Sequence, residues 1–308
     1  MKYKFYIADV FTDRPFNGAQ IAVFPNSDGL DKYQMQLIAR EMNLSETAFI
    51  FSPTNGSHTR RMRIFSPQSE IDFAGHPIIA AGHVLASTGV IKLENKFTPL
   101  ELEQNIGTIK VNITGDDGQP ELIQFSMDTR PTVDRFVPKD DQIAEALSLV
   151  EVDIDTKKFH PLMVYSDQSY LIVPVKTYSA VRAAKFNYVA WSQSIAPACM
   201  AKEILLFTTQ SDVNNSNFHA RLLGPDIGIN EDPPIGSAIP AFTAFLCAHD
   251  HVKKGTHTFL IDRGSIDKRK SVLNIEMDNK EEEFLTIRVG GPAVMVSEGE
   301  ISAPDNTH

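Results

Sequence analysis

The sequence predicts an α+β fold made of two similar halves, each threaded by one buried helix. Three observations point there. Residues 76–88 and the stretch from Gly236 to about His249 are almost uncharged runs of helix length. They open Gly75-His76-Pro77-Ile78-Ile79-Ala80 and Gly236-Ser237-Ala238-Ile239-Pro240-Ala241. A helix apolar on every face has to be enclosed, and the alternating segments around it are the material to enclose it. One such helix falls in each half of the chain, the mark of a duplicated α+β architecture. Finally, 42% of the 308 residues are hydrophobic, enough for two cores of ordinary domain size.

The elements follow in order. Tyr3, Phe5 and Ile7 alternate with Lys4, Tyr6 and Ala8, so the chain opens as a strand. Residues 20–24 form a short apolar run stopped by Pro25-Asn26. Leu30 to Asn43 reads as a helix with Met35, Ile38 and Met42 on one stripe and Asp31 as N-cap. Strands are expected at 46–52, 59–65 and 69–73, then the first buried helix, closed at Thr88-Gly89. Alternation returns at 99–105, 107–114 and 121–127. Prolines punctuate 128–139, the expected boundary between halves. The halves are thus 1–128, completed by the last strand at about 293–308, and 129–292. The second half repeats the alternation. A helix at 139–149 precedes two strands in 160–174. Short helices at 177–185 and 188–195 lead to strands at 203–209 and 217–223. After the second buried helix, strands are expected at 257–261, 272–277, 284–289 and 293–297.

Composition excludes several classes. With 29 basic against 39 acidic side chains the net charge is −10, which gives no footprint for a phosphate backbone. The densest basic cluster, Asp267-Lys268-Arg269-Lys270, reads as a solvated turn. No run approaches the roughly 20 apolar residues of a membrane span. The N-terminus has no continuous apolar signal region, and two cysteines, Cys199 and Cys247, make no disulfide framework. The expectation is a cytoplasmic protein with a small-molecule site, no nucleic-acid partner and no membrane.

Few residues are placed to carry chemistry. Glu46, in Ser45-Glu46-Thr47, opens an apolar strand. It reads either as a solvated carboxylate or as a general acid/base raised by Leu44, Ala48 and Phe49. His76 starts the first buried helix, as a packed residue or as a proton relay. His83 lies two turns further on the same face. The spacing and the lack of an acidic neighbour argue against a metal. His249 and His251 read as helix-end cations that complement the dipole. Glu231-Asp232-Pro233-Pro234-Ile235-Gly236-Ser237 is the densest constellation, with Ser237 as helix cap in the structural reading. It is not a G-x-S-x-G elbow, and no Gly-rich phosphate loop occurs. Both cysteines read as packing residues. Two helix starts with unpaired N–H groups make a ready carboxylate site.

These pieces, in this order, resemble the PhzF-like isomerases, which have a diaminopimelate-epimerase-like fold. The resemblance rests on Asp9-Val10-Phe11-Thr12, Pro15-Phe16-Asn17-Gly18, Ser45-Glu46-Thr47-Ala48-Phe49 and Phe65-Ser66-Pro67. Glu70, Phe73-Ala74-Gly75-His76-Pro77, Glu231-Asp232-Pro233, Gly236-Ser237-Ala238 and Gly290-Gly291-Pro292-Ala293-Val294 extend it over almost the whole chain. It implies that each half is a curved, mostly antiparallel sheet or barrel around its helix, with the site in the cleft between halves. It also implies cofactor-independent isomerisation of a small carboxylate, the namesake substrate being trans-2,3-dihydro-3-hydroxyanthranilate. By the same resemblance Glu46 is the acid/base, assisted by His76 and Asp232. Gly75, Gly236 and Ser237 bind the substrate carboxylate, no metal is used, and the protein is a homodimer.

The sequence departs from the family pattern at Gly18-Ala19-Gln20, at Ile235 and at Lys268-Arg269-Lys270-Ser271. Gly75-His76 and Gly236-Ser237 occupy the helix starts where related racemases carry thiols, which argues against a two-thiol mechanism. A racemase, epimerase or dehydratase with non-thiol bases is the second reading. A non-catalytic protein that binds a small anion is the third. Deuterium exchange at a stereocentre separates the second, and stabilisation by a carboxylate without turnover the third.

Overall fold

The computed structural model describes residues 1–52, 59–93, 95–116, 118–166, 168–213, 215–225, 227, 233–265, 269–280 and 284–305. The chain forms two compact units. The first comprises Met1–Met127, Arg269–Ser271 and Arg288–His308, and the second Asp128–Lys268 and Val272–Ile287.

The first unit opens with the antiparallel pair β1 (Lys2–Val10) and β2 (Ala19–Phe24). Helix α1 (Lys32–Met42) follows, started by a reciprocal cap. Asp31 accepts the Gln34 N–H at 2.8 Å and Gln34 accepts the Asp31 N–H at 3.2 Å. Asn43 ends it in the left-handed region at φ 50°. Its apolar stripe, Met35, Ile38 and Ala39, packs with Tyr3, Phe24, Phe49 and Phe65 on one face of the sheet. Strand β3 (Glu46–Phe51) runs parallel to β2, and β4 (Thr59–Phe65) antiparallel to β3. The short β5 (Glu70–Ile71) pairs with the end of β4. Helix α2 (Gly75–Ser87) comes next. Then β6 (Phe97–Gln104), parallel to β4, begins a meander with β7 (Gly107–Asp116) and β8 (Gln119–Thr129).

Every residue of α2 from Gly75 to Ala86 is buried, as an uncharged helix requires. It packs against β1, β2, β3, β7 and the C-terminal strand Ala293–Ser302. Two glycines let the sheet approach. A Cβ on Gly75 would lie 2.8 Å from the Phe125 ring, and one on Gly82 2.8 Å from Ile123.

The second unit repeats the connection order. After β9 (Thr132–Asp134) and α3 (Asp140–Ala146), β10 (Leu162–Tyr165) and β11 (Ser169–Pro174) form an antiparallel hairpin. Helices α4 (Tyr178–Ala183) and α5 (Tyr188–Gln193) lead to β12 (Glu203–Thr208), parallel to β11. Strand β13 (Phe218–Leu223) is antiparallel to β12. Then come the buried helix α6 (Ile239–Ala248) and β14 (Gly255–Arg263), parallel to β13. Phe242 and Phe245 of α6 meet Phe207 and Phe218 edge-on or Phe159 at a tilt, with centroids 4.9–5.8 Å apart. The chain ends with β15 (Ser271–Asn279), β16 (Leu285–Gly291) and β17 (Ala293–Ser302). A hairpin, a helical connection, a parallel strand, an antiparallel strand, a buried helix and a parallel strand occur in this order in both units. The fold is the duplicated α+β class.

The strand expected at 69–73 shrinks to Glu70–Ile71, β9 was not expected, and two further elements differ for a local reason. The helix expected at 139–149 stops at Ala146, because Ser148 takes the left-handed conformation at φ 54°. The last strand runs on past 297 to Ser302, paired with β1 throughout. Its Glu298-Gly299-Glu300 looks unlike a strand in sequence. Across the ladder, however, the carboxylates face Lys4 at 3.0 Å and Lys2 at 3.7 Å, with all four side chains solvated.

Candidate functional site

Glu46 is placed by the end of α1. The left-handed Asn43 stops the helix, and Leu44-Ser45 turn the chain into β3, where Glu46 stands beside Ile21 of β2. Alternation then decides its direction. Thr47 and Phe49 face the α1 cluster, whereas Glu46, Ala48 and Ile50 face the side occupied by α2. The residue as a whole is of intermediate exposure, and burial of the carboxyl pushes its pKa up. The Ser45 hydroxyl, donating at 2.9 Å, opposes that shift. Among the described residues no cation pairs with it.

His76 lies in the first turn of α2 and is 4% exposed. The helix starts from Ala74 without a side-chain cap, which leaves its first N–H groups unclaimed by any capping side chain. The Phe11 ring stands edge-on to the imidazole. Phe11 takes φ 61° and donates its N–H to the Pro292 carbonyl at 2.8 Å. The Asp9-Val10-Phe11 and Gly290-Gly291-Pro292 motifs therefore meet beside His76.

Asp9 is a feature that sequence reading passed over. It is fully buried, and its carboxylate takes the Phe16 N–H at 2.6 Å and the Arg269 guanidinium. Arg269 also donates to the carbonyls of Asn17 at 3.0 Å and Gly18 at 3.1 Å. Burial raises the Asp9 pKa, and Arg269, then the Phe16 N–H, hold it back. Together they clamp a loop in which Phe16 and Gly18 both have positive φ. The sequence offered an acid inside an apolar strand, at the start of the Asp9-Val10-Phe11-Thr12 motif, but nothing that paired it with Arg269.

Other acids and histidines have structural roles. Glu70 accepts both arms of Arg63 at 2.7 and 2.8 Å and pairs with Lys32 at 3.0 Å. Arg63 foremost holds its pKa down at about 2. His83 is held neutral by burial, with its pKa lowered to about 4. Burial lowers the pKa values of His249 and His251. At the end of α6, His249 donates from Nδ1 to the Phe245 carbonyl at 2.9 Å and accepts the His160 N–H at 3.1 Å. Burial also raises both thiols, Cys247 to about 11, as suits packing residues.

In the second unit, Ile235 is fully buried and Gly236–Ala238 form a single 3-10 turn that runs into α6. Ser237 is exposed, and neither this turn nor α6 has a side-chain cap, so Ser237 is not the expected cap. A 3-10 turn in place of a first α-turn takes the hydroxyl out of capping register. Glu231 and Asp232 lie outside the described residues. A buried pair was missed: His219 Nδ1 and Asp262 Oδ2 are 2.6 Å apart, both fully buried. Phe218 faces α6, so His219 points the other way, under the Tyr178 ring of α4 at 4.4 Å. Forty-three residues separate the partners, and no local pattern announces them. Among the described residues no three His, Cys, Asp or Glu side chains gather as metal ligands, and no helix is long and apolar enough to cross a membrane.

Comparison with known proteins adds a lineage. A family model described as "Phenazine biosynthesis-like protein" matches residues 8–299. An "uncharacterized isomerase" of Mesorhizobium japonicum is 30% identical, over 96% of this chain and 98% of that protein. A trans-2,3-dihydro-3-hydroxyanthranilate isomerase of Pseudomonas fluorescens is 27% identical, over 97% of this chain and 99% of its own. A PhzF-family phenazine biosynthesis protein of Bacillus anthracis has the same fold, with a TM-score of 0.84 at 22% identity, covering 98% of this chain and 99% of that one.

Proposed function

Since the chain belongs to the phenazine biosynthesis-like family of isomerases, we propose that it moves a proton between two carbons of a small carboxylate-bearing substrate, with Glu46 as acid and base. The observation that carries this reading is the Glu46 carboxyl itself. Burial raises its pKa, no cation of the described residues neutralises it, and it faces the α2 side of the sheet. A base of raised pKa takes a proton from carbon more readily than a solvated carboxylate does.

The electron balance is simple. The Glu46 carboxylate accepts a proton from one carbon, and the electron pair of that C–H bond spreads into the conjugated system. The resulting Glu46 carboxylic acid returns the proton to another carbon. Nothing is oxidised or reduced. Developing negative charge is stabilised by fixed dipoles, for which the uncapped N–H groups at the start of α2 are suited. We assign carboxylate binding to Gly75, Gly236 and Ser237, and assistance in proton transfer to His76 and Asp232. The exposed Ser237 hydroxyl, not used as a cap, supports its share of that assignment.

The first substrate to test is trans-2,3-dihydro-3-hydroxyanthranilate, the compound named for the Pseudomonas fluorescens relative. Turnover in D2O with little deuterium in the product is the expected result, because one shielded carboxyl carries the same proton across. A Glu46→Gln variant that keeps full activity on a substrate the wild type converts would sink the mechanism.

A further inference from the structure

Ser45 ends the turn that carries α1 into β3, and its hydroxyl donates to Glu46 Oε2 at 2.9 Å. The turn is fixed upstream, where Asn43 takes the left-handed conformation at φ 50° and donates its N–H to the Ala39 carbonyl at 3.1 Å. It is fixed downstream by the pairing of Glu46 with Ile21 in the β2–β3 ladder. Ser45 therefore reaches the carboxyl from a backbone held on both sides. Among the described residues no other donor meets that carboxyl.

The two carboxyl oxygens are thereby made unequal. Oε2 has a fixed donor, which it accepts both as a carboxylate oxygen and as the carbonyl oxygen of the neutral acid. Oε1 has none, so a proton is taken up there. The charged groups on the elements around β3 leave this division intact. β2 carries none. On β4, Arg63 shares the face of Phe49, opposite to Glu46, and is engaged by Glu70, while Arg60 and Arg61 lie at the far end of the ladder beside Phe51. Helix α1, with Lys32, Arg40 and Glu41, packs on that opposite face too. Helix α2 brings His76 and the neutral His83.

We propose that Ser45 is a positioning residue for the proton shift: its hydroxyl holds Oε2 of Glu46, so that Oε1 takes the proton from one carbon and returns it to the other. This rests on the isomerase reading above. The C–H electron pair passes into the conjugated system of the substrate, the new C–H bond draws its pair from that system, and Ser45 keeps its own proton throughout. Fixing the carboxyl plane keeps the acid O–H on the substrate between the two transfers. Without the hydroxyl the carboxyl turns about its last bond, and its proton meets solvent. The same hydrogen bond favours the ionised form against the burial that disfavours it, so it also keeps the base in its working state.

Two variants of the full chain, Ser45→Ala and Ser45→Thr, test it, since Thr restores the hydroxyl. The first measurement needs no turnover. It is a carboxyl-carbon NMR titration of glutamate-labelled protein, with the Glu46 signal assigned by its loss in Glu46→Gln. Ser45→Ala is expected to titrate at least about half a pH unit above the wild type, and Ser45→Thr close to it. The second is kinetic, on a substrate the wild type converts. Ser45→Ala should lose about three- to tenfold in kcat with KM within about twofold, and carry more solvent deuterium into the product. Ser45→Thr should recover both. A Glu46 carboxyl that titrates alike in the wild type and Ser45→Ala overturns the proposal. So does a loss confined to KM, or a Ser45→Thr variant that behaves as Ser45→Ala does. The isomerase reading fails on a different readout, full activity of Glu46→Gln.

Discussion

The Phe11 ring stands edge-on to the His76 imidazole, with centroids 5.0 Å apart and planes at 79°. That contact exists because Gly291 has no side chain. A Cβ there would lie 2.5 Å from Phe11 Cδ1. Two motifs 280 residues apart thus meet as one device that orients the start of α2.

Gly291→Ala should therefore disturb both stability and catalysis. The added methyl must displace a fully packed ring, at a cost of about 1–3 kcal/mol. Urea denaturation reads the first effect, and kcat on a converted substrate the second. A variant as stable and active as the wild type would disprove the close packing.

Glu46→Gln separates function from stability. Activity is expected to fall by roughly 100-fold or more. Stability should change in the other direction. The folded pKa of Glu46 lies above the ordinary value of 4.5, so its ionisation penalises folding as pH rises through the folded pKa. The variant should melt above the wild type at pH 7 and lose that advantage below about pH 4.5. Melting curves at the two pH values check this. The wild-type rate should also rise with pH through a limb above the usual carboxylate range.

Glu70 predicts an acid-sensitive contribution. Its folded pKa of about 2 lies below its ordinary 4.5, because Arg63 grips the carboxylate. The stabilisation is complete above pH 4.5 and disappears as pH falls toward 2. Its size is at most roughly 3 kcal/mol. Arg63→Met should flatten stability against pH across that window, as measured by denaturation at several pH values.

Arg269→Met should be more damaging than Asp9→Asn. The first leaves a buried carboxylate without its cation, at a cost of about 3 kcal/mol. The second keeps an oxygen for the Phe16 N–H, so the loop retains one anchor. Comparing the two melting temperatures decides the order. The reverse order would show that the Phe16 contact, and not the ion pair, holds the loop.

How much was legible depends on the range of the interaction. The α1 cap formed where expected, since Asp31 and Gln34 meet within one turn. Helices α2 and α6 were legible because an uncharged run has no stable place outside a core. Of the two readings of Ser237, the helix cap failed on local backbone form, which composition does not report. The pairings of Asp9 with Arg269 and of His219 with Asp262 were invisible because they are made by segments far apart in the chain.

The amino-acid order by itself determined the class of the molecule. Apolar runs without charge must be enclosed, and alternating segments must enclose them. Only the tertiary structure decided what each polar group became. It raised Glu46 by burial, held Glu70 ionised with Arg63, and left the Gln104 amide buried without a partner among the described residues. The physical reason is that the fate of a polar group depends on which partners and how much water reach it, and distant segments of the chain supply both.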